Sequence, residues 1–209
     1  QLPEQGHVWI ACTRQELHEQ LASFQAALQT LCGLQLVDLH VSDLLNVQLP
    51  SRFDYTSQYD LLVFRRLATA GVNASTNGTE ATPLKPHRRK GPPILQRIDT
   101  NPVGFAVFER VLLTVHPADC AARDVYASRL LQSGTSDIRT ATTRLPASPA
   151  DLMLRIVNHM VDGYLALRRL LTRDLTALQQ ELLGPRPRHI DWRALLAARN
   201  TLHQLEELC

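Results

Sequence analysis

The stretch VSDLLNVQLPSRFDYTSQYDLLVFRRL, from Val41 to Leu67, contains one helix signal and two strand signals in close succession. Ser42 to Val47 predicts a short helix, in which Asp43 is interpreted as an acid that stabilises the helix start. The apolar and aromatic residues between Phe53 and Leu67 predict two strands joined by a polar turn. This part of the chain therefore mixes helix and strand.

The residues before this stretch predict a first strand and a long helix. Val8 to Ala11 is the strand, and Thr13 is placed to cap the helix that follows. Gly33 marks the end of that helix. Its apolar residues recur at three- and four-residue steps and lie on one helix face. They are Leu17, Leu21, Phe24, Leu28 and Leu31.

The middle of the chain returns to strands after an unusual segment. Small, polar, Pro and Gly residues dominate 68–93, which buries too little apolar area to order itself and is predicted to be a mobile loop. Strands are predicted at 94–98, 104–109 and 111–115, followed by a helix at 118–131. These segments complete a mixed β-sheet flanked by helices.

The C-terminal part predicts helices only. Ser148, followed by Pro149, is a strong helix start, and an apolar stripe continues from Met153 to Leu182. Gly184 breaks this helix, and a second helix is expected from about Asp191. The predicted fold class is α/β (α+β): a mixed β-sheet flanked by helices, then a long antiparallel helix pair. Residues 1–147 form the α/β domain and 148–209 the helical hairpin.

Composition excludes several classes of protein. The chain has 209 residues, a net charge of +2 and four scattered cysteines, which favours one or two small globular domains with free thiols. The near-neutral charge gives no support to nucleic-acid binding. No apolar run approaches the roughly 18 residues of a membrane span, and the N-terminus lacks signal-peptide features. The absent initiator Met and the helix at the last residue indicate a piece of a longer protein.

No motif for catalysis is found. The sequence has no dinucleotide fingerprint, no phosphate loop, no nucleophile elbow and no His-Glu-x-x-His, so no enzymatic activity is expected. The pairs His40/Asp43 and His159/Asp162 have a spacing that brings two ligands to one metal ion. Two ligands are too few for a zinc site, and we interpret each as a pair on a helix surface. Arg65-Arg66 is interpreted as a solvated strand end.

Several motifs follow one another as they do in a known family. Ser42 to Val47 resembles a "LEDILN" helix, Ser51 to Asp54 an "RPKVE" strand, and Leu112 to His116 a strand ending in "LLTVH". The segment 154–164 is similar to a "LIDxIVDxY" helix. In this order and spacing, the motifs resemble the N-terminal cytoplasmic part of the CorA family of divalent-cation transporters, over nearly the whole chain except 68–93.

The resemblance implies an ion-sensing and gating domain on the cytoplasmic side of the inner membrane. It implies a homo-oligomer, pentameric in the full-length family, and membrane attachment through a stalk and two spans beyond Cys209. A regulatory Mg²⁺ would bind between subunits, with Asp43 and Asn158 at the positions of family acids. Ser42 replaces a Glu and Asn158 an Asp, so weak binding is expected, because Mg²⁺ prefers carboxylate oxygens.

Two other interpretations stay open from the sequence. A zinc-transporting member of the same family is compatible with the eight histidines, which are not clustered. A soluble α/β interaction module, with an exposed helix pair that docks a partner helix, is the alternative from a different class.

Overall fold

The computed structural model describes residues 6–68, 99–133 and 145–183, and six single helical residues nearer the C-terminus. These six are Leu196, Arg199, Asn200, Leu202, His203 and Glu206. The predicted mobile loop after residue 68, the predicted strand 94–98 and the start of the second C-terminal helix lie outside the described residues. The antiparallel pairing of two C-terminal helices therefore stays a prediction.

Within the described ranges, five strands form one sheet. They are β1 (Val8–Thr13), β2 (Arg52–Tyr55), β3 (Asp60–Leu67), β4 (Thr100–Val107) and β5 (Val111–His116). The order across the sheet is β1-β5-β4-β3-β2. β1 runs parallel to β5, whereas β5 is antiparallel to β4 and β2 to β3. The mixed β-sheet predicted from the sequence is confirmed.

The described helices surround this sheet as predicted. They are α1 (Arg14–Glu19), α2 (Leu21–Cys32), α3 (Asp38–Leu45), α4 (Ala121–Ser133) and α5 (Pro149–Leu183). Thr13 caps α1 with a capping box to Glu16, and Gly33 ends α2 in the left-handed conformation, as expected. The sequence predicted one continuous helix between Thr13 and Gly33. This prediction is wrong in one respect: the backbone of Gln20 is not helical and divides the segment into α1 and α2.

The two faces of the sheet bury two separate apolar clusters. Alternate residues of β5 divide between them, with Val111, Leu113 and Val115 in the first cluster and Leu112 in the second. Leu17, Leu28, Val41 and Leu44 of α1–α3 belong to the first. Ala122 of α4 and Leu152, Ile156 and Met160 of α5 belong to the second. The sheet is therefore a middle layer between two helical layers.

The chain divides into two compact units, 1–66 with 101–160 and 67–100 with 161–209. The first contains the sheet core described above. In the second, the described residues include the later turns of α5 and the backbone hydrogen bond from Ala68 N to Asp99 O, 2.8 Å. The domain boundary between residues 147 and 148 stays a prediction.

Gly104 in β4 lets α3 approach the sheet closely. A Cβ built on Gly104 would collide with Cδ2 of Leu44, a buried residue of α3. Because Leu44 is enclosed by the first apolar cluster, it has little room to move aside. The missing side chain of Gly104 thus determines how deeply α3 packs.

We expect Gly104→Ala to lower the free energy of unfolding by about 1–3 kcal/mol, because the added methyl overpacks the core. In a Leu44→Ala background the same change should cost less, since the clash is gone. Urea unfolding of the wild type, the two single variants and the double variant measures the coupling between Gly104 and Leu44. Gly163→Ala in α5 is the control: its Cβ would meet Leu67 only at 3.9 Å, so it should be neutral or stabilising. Equal losses in both backgrounds would contradict the role of Gly104.

Candidate functional site

Asp43 lies in the second half of α3, which begins at Asp38. The interpretation of Asp43 as a helix-start acid is therefore wrong, and Asp38 occupies that position instead. No side chain caps this helix. Its start is set by tertiary contacts. The side-chain amide of Gln25 donates a hydrogen bond to Leu36 O and accepts one from Leu36 N, and Val37 N donates to Tyr59 Oη at 2.9 Å. Periodicity along the chain does not reveal such contacts.

Asp43 is buried beside an arginine of the edge strand. Its side chain is 9% exposed, and its Oδ2 lies 3.4 Å from Nη1 of Arg52, whose side chain is 40% exposed. Charge-assisted hydrogen bonds between these groups measure about 2.7–2.9 Å. Oδ2 takes part in no hydrogen bond with any residue that the structure describes. Asp43 is thus a buried carboxylate neutralised by a loose ion pair.

Arg52 contacts a second carboxylate on its own strand. Its Nη2 lies 3.3 Å from Oδ2 of Asp54. The same Asp54 oxygen lies 3.4 Å from Nε2 of His40. One guanidinium therefore bridges Asp43 on α3 and Asp54 on β2, and Asp54 in turn contacts buried His40.

His40 belongs to a hydrogen-bond chain that holds α3 against the sheet. Its Nδ1 lies 2.7 Å from Oη of Tyr59, which accepts from Val37 N. Burial raises the pKa of the Tyr59 hydroxyl, so it stays protonated and can donate. Because ionised Asp54 only accepts, we assign the Nε2–H tautomer to His40, with Nδ1 accepting from Tyr59. Every group of this chain then has a partner.

The two His/Asp pairs have different surroundings. His40 and Asp43 are both buried, so their interpretation as a surface pair is wrong. His159 and Asp162 are exposed, as predicted, and His159 packs edge-on against Tyr126 at 6.2 Å. In the part of the chain that the structure describes, no group of three His, Cys, Asp or Glu side chains is arranged to hold a metal ion.

Asp43 and Asn158 are not brought together within one chain. Asn158 is exposed on α5, whose neighbouring residues Ile156 and Met160 pack on the second face of the sheet. α3 packs on the first face through Val41 and Leu44. A site that used both Asp43 and Asn158 would need two copies of the chain, one supplying each residue.

A groove of about 530 Å³ runs along the outer side of α3. Its lining includes Asp38, Ser42 and Asn46, which recur every four residues, beside Val41 and Leu45. The Asn46 amide oxygen already accepts from Gln48 N at 2.9 Å. Ser42 thus faces solvent while Asp43 faces Arg52, and sequence reasoning missed Asp38. The four-residue spacing from Asp38 to Ser42 and Asn46 is the signal that could have found it.

Arg65 and Arg66 are buried, so the prediction of a solvated strand end is wrong. Nη1 of Arg65 donates to the carbonyl oxygens of Val47 and Leu49 at 2.9 and 3.0 Å. Nη2 of Arg66 donates to the backbone and side chain of Asp119. These partners lie far along the chain, which is why local composition did not indicate burial. Arg65 fixes the loop that leads from α3 to β2.

Three solved structures share this architecture. The full-length CmaX protein matches with a TM-score of 0.64 and 14% identity, over 100% of this chain and 52% of CmaX. The complete CorA magnesium transporter from Methanocaldococcus jannaschii matches with a TM-score of 0.57 and 17% sequence identity, over 96% of this chain and 51% of CorA. The soluble domain of CorA from the same organism matches with a TM-score of 0.52 and 17% sequence identity, over 96% of this chain and 64% of that domain.

At these identities the likeness shows the fold, which is that of the CorA soluble domain. The resemblance found in the sequence is confirmed at this level. Neither protein-family models nor the sequences of characterised proteins give a match. The chain spans about half the length of the CmaX and complete CorA structures. No helix within the described residues is long and apolar enough to cross a membrane.

We expect Tyr59→Phe to lower the free energy of unfolding by about 1–3 kcal/mol, because Val37 N and Nδ1 of buried His40 lose their hydrogen-bond partner. Tyr55→Phe is the matched control, since Tyr55 is 76% exposed and its loss should stay within about 0.5 kcal/mol. Urea unfolding of both variants compares them. Equal effects at the two positions would show that the hydroxyl of Tyr59 does not stabilise the α3 contact.

Proposed function

We propose that this chain is the N-terminal ion-sensing domain of a CorA-type divalent-cation transporter. The observation that carries the proposal is a fold shared with the soluble domain of CorA over 96% of the chain. The ordered motifs from Ser42 to Tyr164 support it independently. The domain lies on the cytoplasmic side of the inner membrane, and the membrane-spanning part of the protein is encoded beyond residue 209.

In this proposal the domain performs no bond chemistry. It shifts the population of a channel between closed and open states through contacts with neighbouring subunits, in a homopentamer like that of the family. Such a shift requires that the ion bind one state more tightly than the other. Mg²⁺ is the proposed ion, acting as a regulatory ligand of the domain and as a cargo of the complete transporter.

Asp43 is the residue on which ion binding depends. It offers one buried carboxylate, whereas neighbouring Ser42, which has a hydroxyl where the family has an acid, faces the outer groove. Mg²⁺ gives up its hydration water reluctantly and is held through one or two carboxylates plus waters. A site with so few charges binds weakly and largely through water. Asn158 would contribute from a second copy, because one chain holds it on the opposite side of the sheet.

The transport proposal is tested on the complete gene. We expect the sequence after residue 209 to encode a stalk helix and two apolar spans, with Gly-Met-Asn after the first. Expression of the complete protein in cells that lack their own magnesium uptake should then restore growth at low Mg²⁺. A gene that ends shortly after Cys209 would instead support the soluble interaction module.

The ion-binding proposal is tested on the chain itself by calorimetry. We expect Mg²⁺ to bind with a dissociation constant on the order of 1 mM, and Asp43→Asn to abolish that binding because it removes the buried carboxylate on which the proposed site depends. Asp162→Asn, which removes an exposed carboxylate from α5, should leave the affinity unchanged. Binding that survives Asp43→Asn would place the ion elsewhere.

A further inference from the structure

Arg52 occupies the space between two carboxylates where a cation would sit. Its Nη1 lies 3.4 Å from Asp43 Oδ2 and its Nη2 lies 3.3 Å from Asp54 Oδ2. Both distances exceed those of good charge-assisted hydrogen bonds, so the guanidinium acts here mainly as a positive charge. Among the described residues, Arg52 has these two carboxylates as its partners.

The two sides of this contact differ in their freedom to move. Arg52 extends from the edge strand β2 with its side chain 40% exposed, and can swing into solvent without breaking backbone structure. Asp43 is held in α3, with its side chain 9% exposed, and cannot follow. A buried carboxylate that loses its counter-ion must be neutralised by another cation or by a proton. Departure of Arg52 therefore leaves a place for a cation.

Asp54 makes that place more favourable for a divalent ion. A hydrated ion in the position of the guanidinium would face Asp43 and Asp54 together, which matches the preference of Mg²⁺ for one or two carboxylates with retained waters. A double charge also compensates the two carboxylates better than the single charge of Arg52. The two cations therefore compete for one pair of anions.

We propose that Arg52 is an internal competitor that sets the affinity of this site for divalent cations. This inference rests on the proposed role of Asp43 in ion binding. The ion binds only when Arg52 has been displaced, so the observed affinity is reduced by the stability of the Arg52 ion pairs. Ion binding also breaks the Arg52–Asp43 contact that joins β2 to α3. Occupancy of the site is therefore coupled to the packing of the edge strand β2 against α3.

The test is Mg²⁺ calorimetry on the whole chain with wild type and three single variants. Arg52→Gln removes the competing charge and should tighten binding about fivefold, the factor that corresponds to a partly exposed ion pair. Arg52→Lys restores the charge and should return the affinity to within about twofold of wild type. Arg123→Gln is the control, because it removes an arginine of similar exposure that pairs with Asp124; its affinity should equal that of wild type.

Adding Asp43→Asn to Arg52→Gln should abolish the tighter binding, which separates this inference from the proposed function. If Asp43→Asn abolishes wild-type binding while Arg52→Gln leaves it unchanged, the competitor role is wrong and the Asp43 site stands. If Asp43→Asn has no effect in either background, the site itself is wrong. Binding seen only in Arg52→Gln, and dependent on Asp43, supports the inference in its strongest form. Thermal unfolding confirms that each variant is folded.

Discussion

All six residues of β5 are buried, and this constraint determines the layout of the sheet core. A strand buried on both sides needs apolar cover on both faces of its sheet. The chain provides it by sending α1–α3 to one face and α4 with the first turns of α5 to the other. β1 pairs in parallel with β5, and the helices that follow these two strands pack on opposite faces of the sheet.

Asp43 lies next to a residue that takes part in that packing. Leu44 of α3 reaches the sheet where Gly104 leaves room for it, and the preceding residue, Asp43, lies beside Arg52 of β2. The carboxylate meets Arg52 and is withdrawn from solvent, while Ser42 on the other side faces the outer groove. Asp43 is thus buried in a helix whose neighbouring residue, Leu44, packs against a glycine about sixty positions further along the chain.

The sequence predicted the local features and missed those that depend on distant partners. Thr13, Gly33 and Ser148 have their effects within a few residues, and each forms the predicted helix boundary; Ser148 Oγ accepts from Asp151 N at 3.1 Å. Alternating and apolar runs located β3 and β5 for the same reason. The burial of Arg65, by contrast, depends on carbonyl groups of the α3–β2 loop, and the start of α3 depends on Tyr59.

The same difference applies to the candidate site. Motif order pointed to Asp43, but only the structure reveals that its carboxylate already has a cation beside it. This matters for the proposed ion sensing, because a ligand shifts a two-state equilibrium only by its difference in affinity for the two states. In the proposed competition, the ion meets a filled site where Arg52 pairs with Asp43, and it would meet two carboxylates where Arg52 has swung away. The competition between the two cations would therefore supply the difference in affinity that an ion-sensing domain requires.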